Sequence, residues 1–275
     1  MITGEKIAIR WTIGDVSTRG FEALRLSIWG AWKLFGPEAT YVVCFNSISL
    51  ELAKVRTGDV PKSVLWHEST ANQLPQFLKS HLDRDMSEGV SWKFAPLRLF
   101  PDRHELVLDN DCILWDVPLA IQDWLEGDKV CVLAEDVRSC FGHFAAHCGE
   151  EPRNSGIRGL PPRFDLEGVI RRILEQQPVM LRSELDEQGL QVAALSHETS
   201  PLVVTIDEVS ICSPFPPHLP SLGRCGAHFV GLNAKQLPWE LNGRPAVHYI
   251  RAHWHKHRAS LFERVGLTLS PVSEM

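Results

Sequence analysis

What most constrains this chain is an alternation of short apolar runs with longer, helically spaced ones from its beginning. Lys6-Ile7-Ala8-Ile9-Arg10-Trp11-Thr12-Ile13 reads as a strand, Gly14-Asp15 as a turn, and Phe21 to Phe35 as a helix that stops before Gly36-Pro37. Tyr41 to Asn46 is a second apolar strand ending in a polar residue, and Val64 to His67 a third. Strands separated by helices predict a mostly parallel sheet, and in such sheets ligands sit outside the carboxyl ends of the strands. Thr12, Asp15 and Asn46 are therefore candidate cleft residues, with simple turn formation as the competing reading of Asp15 and Asn46. At 275 residues and 44% hydrophobic content the chain can bury a full core in one α/β domain, or in one domain plus a small lobe.

The second constraint is the run His104-Glu105-Leu106-Val107-Leu108-Asp109-Asn110-Asp111-Cys112-Ile113-Leu114-Trp115-Asp116. An apolar strand here delivers two acids, Asp109 and Asp111, to its carboxyl end beside a turn-prone Asn110. Carboxylate oxygens in that position suit a hard divalent cation, which keeps open positions for phosphate oxygens. Taken alone, the Asp-Asn-Asp tripeptide is equally an Asx turn capping the next segment.

Its surroundings are more specific. Trp92-Lys93-Phe94-Ala95-Pro96-Leu97-Arg98-Leu99-Phe100, followed by Glu105 to Leu114, resembles the block that ends in the Asp-x-Asp motif of nucleotide-sugar glycosyltransferases with a GT-A fold, and is most similar to the retaining family 8 enzymes. The resemblance implies a Rossmann-like, mostly parallel central sheet flanked by helices, spanning 1–240. A basic and aromatic helical extension is expected over 241–275. It further implies Mn²⁺ (or Mg²⁺) at the two acids, a UDP-sugar donor, and retention at the anomeric carbon. By the same resemblance the loop at Thr12, Ile13 and Asp15 contacts uracil, Asp109 and Asn110 belong to the donor site, and Arg98 contacts the diphosphate or the first acid.

Three later motifs stand in the family's order. Asn154-Ser155-Gly156-Ile157 resembles a segment crossing the cleft floor beside the sugar. Gly156 permits close approach of backbone, and an Asn amide can both donate to and accept from sugar hydroxyls. Asp186-Glu187-Gln188-Gly189 resembles an Asp-Gln-Asp helix start, with Glu187 for the first acid, Asp186 as its possible substitute, Gln188 for the amide, and Gly189 departing from the second acid. In the family these groups face the anomeric carbon, where polar support for an oxocarbenium-like centre is needed. Gly226-Ala227-His228-Phe229-Val230-Gly231, then Lys235-Gln236-Leu237-Pro238-Trp239, resembles a His-aromatic-x-Gly…Lys-x-Pro-Trp signature with two extra residues around the Lys. It implies His228 as third metal ligand and Lys235 as a cation for the departing diphosphate. His248 in the tail is the alternative ligand.

Two other clusters invite a metal. Cys140, His143, His147 and Cys148 crowd into one run, whereas structural zinc sites take two short pairs separated by a longer loop, so packing beside the site is the expectation. His253 and His257 share a helix face, with no acid nearby to complete a site. Seven scattered cysteines fit reduced core thiols, and 28 basic against 34 acidic residues select no nucleic acid as a partner. With neither a signal peptide nor an apolar run long enough to span a bilayer, the expected location is cytoplasmic. The acceptor, a saccharide, a lipid or a protein, is not legible. A catalytically silent nucleotide-sugar binder stays open. So does a nucleotidyltransferase, although Gly14 to Gly20 lacks the expected phosphate loop.

Overall fold

A computed structural model describes residues 6–82, 91–127, 129–197, 200–234, 237 and 239–269. Strand β1 (Ile7–Ile13) is followed by helix α1 (Thr18–Phe35), β2 (Thr40–Phe45), α2 (Leu50–Thr57), β3 (Val64–Glu68) and the one-turn helix α3 (Gln76–Lys79). Then come β4 (His104–Asp109), β5 (Cys112–Leu114), α4 (Leu119–Glu126), β6 (Val132–Glu135) and α5 (Ala145–Cys148). The chain continues through β7 (Arg153–Leu160), α6 (Leu166–Gln176), α7 (Glu184–Ser196), β8 (Leu202–Val204), β9 (Val209–Ile211) and β10 (Gly226–His228). A small hairpin, β11 (Glu240–Leu241) and β12 (Arg244–Pro245), leads into α8 (Ala246–Val265).

The main sheet has the order β3-β2-β1-β4-β7-β6-β8. Its first four strands are mutually parallel, as the strand–helix alternation predicts, and β7 runs antiparallel to both β4 and β6. Register fixes the functional edge: Ile13 is level with Phe45 and Thr12 with Asp109, so three strands end side by side. A second sheet, β5-β10-β9, sits beyond that edge.

The elements follow from local chemistry. β1 is buried almost throughout, so it reads as continuous rather than alternating apolar sequence. Its one charge, Arg10, lies 3.1 Å from the buried Glu105 and donates to the carbonyls of Pro96 and Leu97. Ser17 caps α1 by accepting from Gly20 N, and Asp165 caps α6 in the same way, accepting from Gly168 N. Helix α7 starts two residues before the expected Asp186, because Ser183 takes the capping role.

Leu97 to Phe100, which follows the helix-compatible Pro96, does not form a helix, because the amides of Leu99 and Phe100 donate to the Glu105 carboxylate instead. Helix α8 is built into the core: Trp254, Leu261 and Phe262 are buried with Ala23, Leu26 and Phe229, and Arg258 and Trp254 both donate to Glu22 on α1. The boundary expected after residue 240 falls inside β11. Among the described residues no helix is long and apolar enough to cross a membrane.

Candidate active site

The carboxyl edge of β1, β2 and β4 opens on a cavity of about 980 Å³, large enough for a ligand of several rings. Asp109 is the last residue of β4, and one turn later Asp111 precedes β5. β10 pairs antiparallel with β5 so that His228 stands opposite Cys112, which brings the imidazole to the two acids. His228 Nε2 lies 3.3 Å from Asp111 Oδ1 and 3.8 Å from Asp109 Oδ2, and one donor atom from each residue falls within 4.8 Å of the others. Asp111 Oδ1 and His228 Nδ1 are buried and make no hydrogen bond. Two carboxylates and an imidazole fit Mn²⁺ or Mg²⁺. His248 is exposed on α8 and is not part of this group.

Around these donors the charges are tightly balanced. Lys93 Nζ lies 2.9 and 3.0 Å from the two oxygens of Asp109 and 3.5 Å from Glu187. On the far side of Glu187 stands the buried Arg158, 3.5 Å away. Burial opposes ionisation of Asp109, but Lys93, His228 and Arg158 together hold its pKa below the usual carboxylate value. Burial likewise opposes charge on His228, yet the adjoining Asp111 and Asp109 outweigh it and raise the imidazole pKa. For Glu187 burial wins, and its pKa is raised despite Lys93 and Arg158. Such opposed shifts between neighbouring acids are typical of reactive sites.

The opposite wall is made by β7 and the first turn of α7. Asn154, Ser155, Glu187 and Gln188 all line the cavity. The Asn154 side chain is already engaged, donating to Asp136 at 2.9 Å and accepting from Gly156 N at 2.7 Å. Gln188 is held at both ends: Nε2 donates to Cys140 O and Oε1 accepts from Ser155 N. Gly189 has a steric cause, since a Cβ there would come within 2.0 Å of Phe141 O, so no second acid can stand at this position. Gly156 faces not the open cavity but His228, whose Cε1 would be 2.4 Å from an added Cβ.

Thr12, Ile13, Asp15 and Asn46 line the end of the cavity at β1 and β2, where Asp15 pairs with Arg56 at 2.6 Å. Asn110 also lines it, but its amide bridges Gly20 O and Asn233, locking the turn between the two acids. Two expected residues do not reach the cavity. Arg98 turns inward to the carbonyls of Phe164, Pro161 and Arg103, because the buried Glu105 draws its guanidinium into the protein. Asp186 turns away to His143 and to the amides of Arg182 and His143, acting as a hub for the start of α7. Lys235 lies outside the described residues. Among the described residues, the Cys140 to Cys148 run brings no metal-binding group together: Cys148 donates to Gly189 O and His143 is taken by Asp186.

Four residues of the site carried no role in the sequence reading. Lys93 and Asn233 stand within segments that drew attention for other residues, and Asn233 donates to Asp111 Oδ2 at 3.1 Å. Asp136 gave no signal, since an acid after a strand is read locally as a turn, and Arg158 stood out only as a charge where the resembling segment usually carries an apolar residue.

No protein-family model matches the chain, and no curated protein sequence does. Solved structures do match. The galactosyltransferase LgtC, solved in complex with donor and acceptor sugar analogues, aligns at 15% identity with a TM-score of 0.53, over 96% of this chain and 97% of LgtC. An active-site mutant of LgtC aligns with a TM-score of 0.54 at the same identity and the same coverage. The chain therefore has the GT-A glycosyltransferase fold over nearly its whole length.

Proposed function

We propose that this protein is a metal-dependent glycosyltransferase that moves a sugar from a nucleoside diphosphate sugar, with UDP as the expected nucleotide, to a saccharide acceptor with retention of configuration. The observation that carries the proposal is the convergence of Asp109, Asp111 and His228 in a cavity whose other wall presents Glu187 and Gln188. That cavity lies at the carboxyl edge of the parallel strands, where ligands of such sheets gather, and LgtC, whose fold the chain shares, was solved with donor and acceptor sugar analogues.

In this reading Asp109, Asp111 and His228 hold Mn²⁺ or Mg²⁺, which when bound supplies Lewis-acid stabilisation of charge on the departing diphosphate. Thr12, Ile13, Asp15 and Asn46 provide the end of the cavity for base and ribose. Lys93 keeps Asp109 ionised and ready to ligate, and it adds positive charge on the diphosphate side. Lys235 is assigned the same task by its place in the motif.

Gln188, its amide fixed by Cys140 and Ser155, presents a dipole that does not need to reorganise as positive charge develops at the anomeric carbon. Glu187 is held between Lys93 and Arg158 behind it. Asn154 acts by stiffening β7 through Asp136, and Asp136 and Ser155 are left to meet sugar hydroxyls. A cytoplasmic location is part of the proposal, in keeping with seven unpaired cysteines.

The test is a thermal-shift titration with UDP, GDP and CDP, each with and without Mn²⁺, on wild type and Asp111→Ala, followed by donor hydrolysis with UDP-sugars. Ligands that bind only the folded state raise its stability by mass action. A UDP shift that needs Mn²⁺ and vanishes in the variant is expected. Absence of any nucleotide shift with metal present would overturn the proposal, and binding without UDP release from any donor would make the protein a silent binder.

A further inference from the structure

Away from the cavity, α8 carries His253 and His257 one turn apart, with ring centroids separated by 4.8 Å. By sequence they have no third donor; the fold supplies one. Cys212 follows β9, and its Sγ lies 3.2 Å from His253 Nε2. One donor atom each from Cys212, His253 and His257 falls within 4.8 Å of the others. Cys212 and His253 are buried, while His257 is half-buried at the rim.

A tetrahedral Zn²⁺ at about 2.3 Å from sulfur and about 2.0–2.1 Å from nitrogen holds the two ligand atoms about 3.5 Å apart. The Cys212–His253 spacing of 3.2 Å is close to that, and a donor atom of the half-buried His257 lies within 4.8 Å of both. The tautomer is also suitable. His257 Nε2 sits 3.2 Å from Pro220 O, which can only accept, so the hydrogen is on Nε2 and the free electron pair is at Nδ1. Metal-ligating histidines commonly donate their second N–H to a backbone carbonyl in this way. Thiolate with two imidazoles suits Zn²⁺ and not the hard cations that suit Asp109 and Asp111.

We propose that Cys212, His253 and His257 form a second metal site, selective for Zn²⁺, with solvent completing the coordination beside His257. Its position suggests what it does. The metal ties α8 to the segment from Cys212 to Pro220, which closes on itself through a Cys212–Leu219 bridge and carries His218 into the cavity wall. The site thus braces one wall of the cavity from behind, whatever ligand the cavity takes.

The experiment uses full-length protein stripped of metal and titrated with Co²⁺ in excess Mg²⁺, which occupies carboxylate sites. A thiolate-to-cobalt charge-transfer band in the near ultraviolet is expected. It should be displaced by Zn²⁺, lost in Cys212→Ser and in His257→Asn, and retained in Cys140→Ser. The Asp109, Asp111 and His228 group contains no sulfur and cannot give this band, so failure of the cavity assignment leaves the result untouched. His257→Asn alters a half-buried surface ring and is expected to fold, which circular dichroism checks. No band in the wild type, or a band surviving in either ligand variant, would overturn the proposal.

Discussion

Gly156→Ala is a small change that tests the site's geometry directly. The glycine does not lie in the left-handed region, so alanine brings no backbone strain, and the whole effect comes from one added carbon. That carbon would stand 2.4 Å from His228 Cε1 and 2.6 Å from Nδ1, against a comfortable contact of about 3.4 Å or more. About 1 Å of movement is therefore required. Gly156 itself falls at the irregularity in β7, between its pairing with β6 at Asn154 and with β4 at Ile157, but β10 is held on both sides by β5 and β9, so the backbone that carries His228 does not yield easily. The imidazole must tilt, and it tilts within a group whose distances to a cation tolerate only about 0.2 Å.

Overpacking of this kind costs about 1–3 kcal/mol of stability, and misplacing a ligand by way of its neighbour weakens metal binding by about 10–100-fold. Chemical denaturation without metal gives the first quantity. Mn²⁺ titration, followed by thermal shift in the presence of UDP, gives the second. A variant that is folded, slightly less stable and weakened toward Mn²⁺ is expected. Wild-type Mn²⁺ affinity in a folded Gly156→Ala protein would refute the argument that Gly156 exists to seat His228.

Three further outcomes are expected. Lys93→Met removes the cation shared by Asp109 and Glu187 and should cost about 3 kcal/mol in metal-free protein, with Mn²⁺ restoring part of it. A loss under about 1 kcal/mol in urea unfolding of the chelated protein would contradict this. Glu105→Ala strands Arg10 and Arg98 together with the amides of Leu99 and Phe100, and urea unfolding should report a loss of about 3–5 kcal/mol; a loss under about 1 kcal/mol would show that the network contributes little. Burial, then His257 and Lys256, lowers the His253 pKa from 6.5 to about 4. The unfolded chain thus binds the extra proton between those values, stability falls as pH drops through that window, and at most about 3 kcal/mol is at stake. In chelator, the pH dependence of the urea midpoint between pH 7 and 4 should flatten in His253→Gln, and an unchanged slope would rule the group out.

Much of this molecule is legible locally. Continuous apolar runs ending in polar residues predict β1, β2 and β4, and the spacing of Phe21 to Phe35 predicts α1, because strand and helix periodicities are properties of neighbouring residues. The same locality puts Asp109 and Asp111 at a strand's carboxyl end. Residue type could not say which way a long side chain turns. Arg98, one residue from the main chain amides that satisfy Glu105, follows that buried acid inward, and the burial of Glu105 depends on the distant β1.

Neighbouring residues alone therefore set the order of elements, the parallel half of the sheet and the edge to which Asp109 and Asp111 are delivered. The partners of these residues come from packing between distant elements. Pairing of β5 with β10 selects His228 over His248 for the two acids, the approach of β7 makes Gly156 a seat for His228, and docking of α8 carries His253 and His257 to Cys212. Each of these joins residues far apart along the chain, and such contacts depend on how strands register and helices pack, which no local pattern of residues encodes.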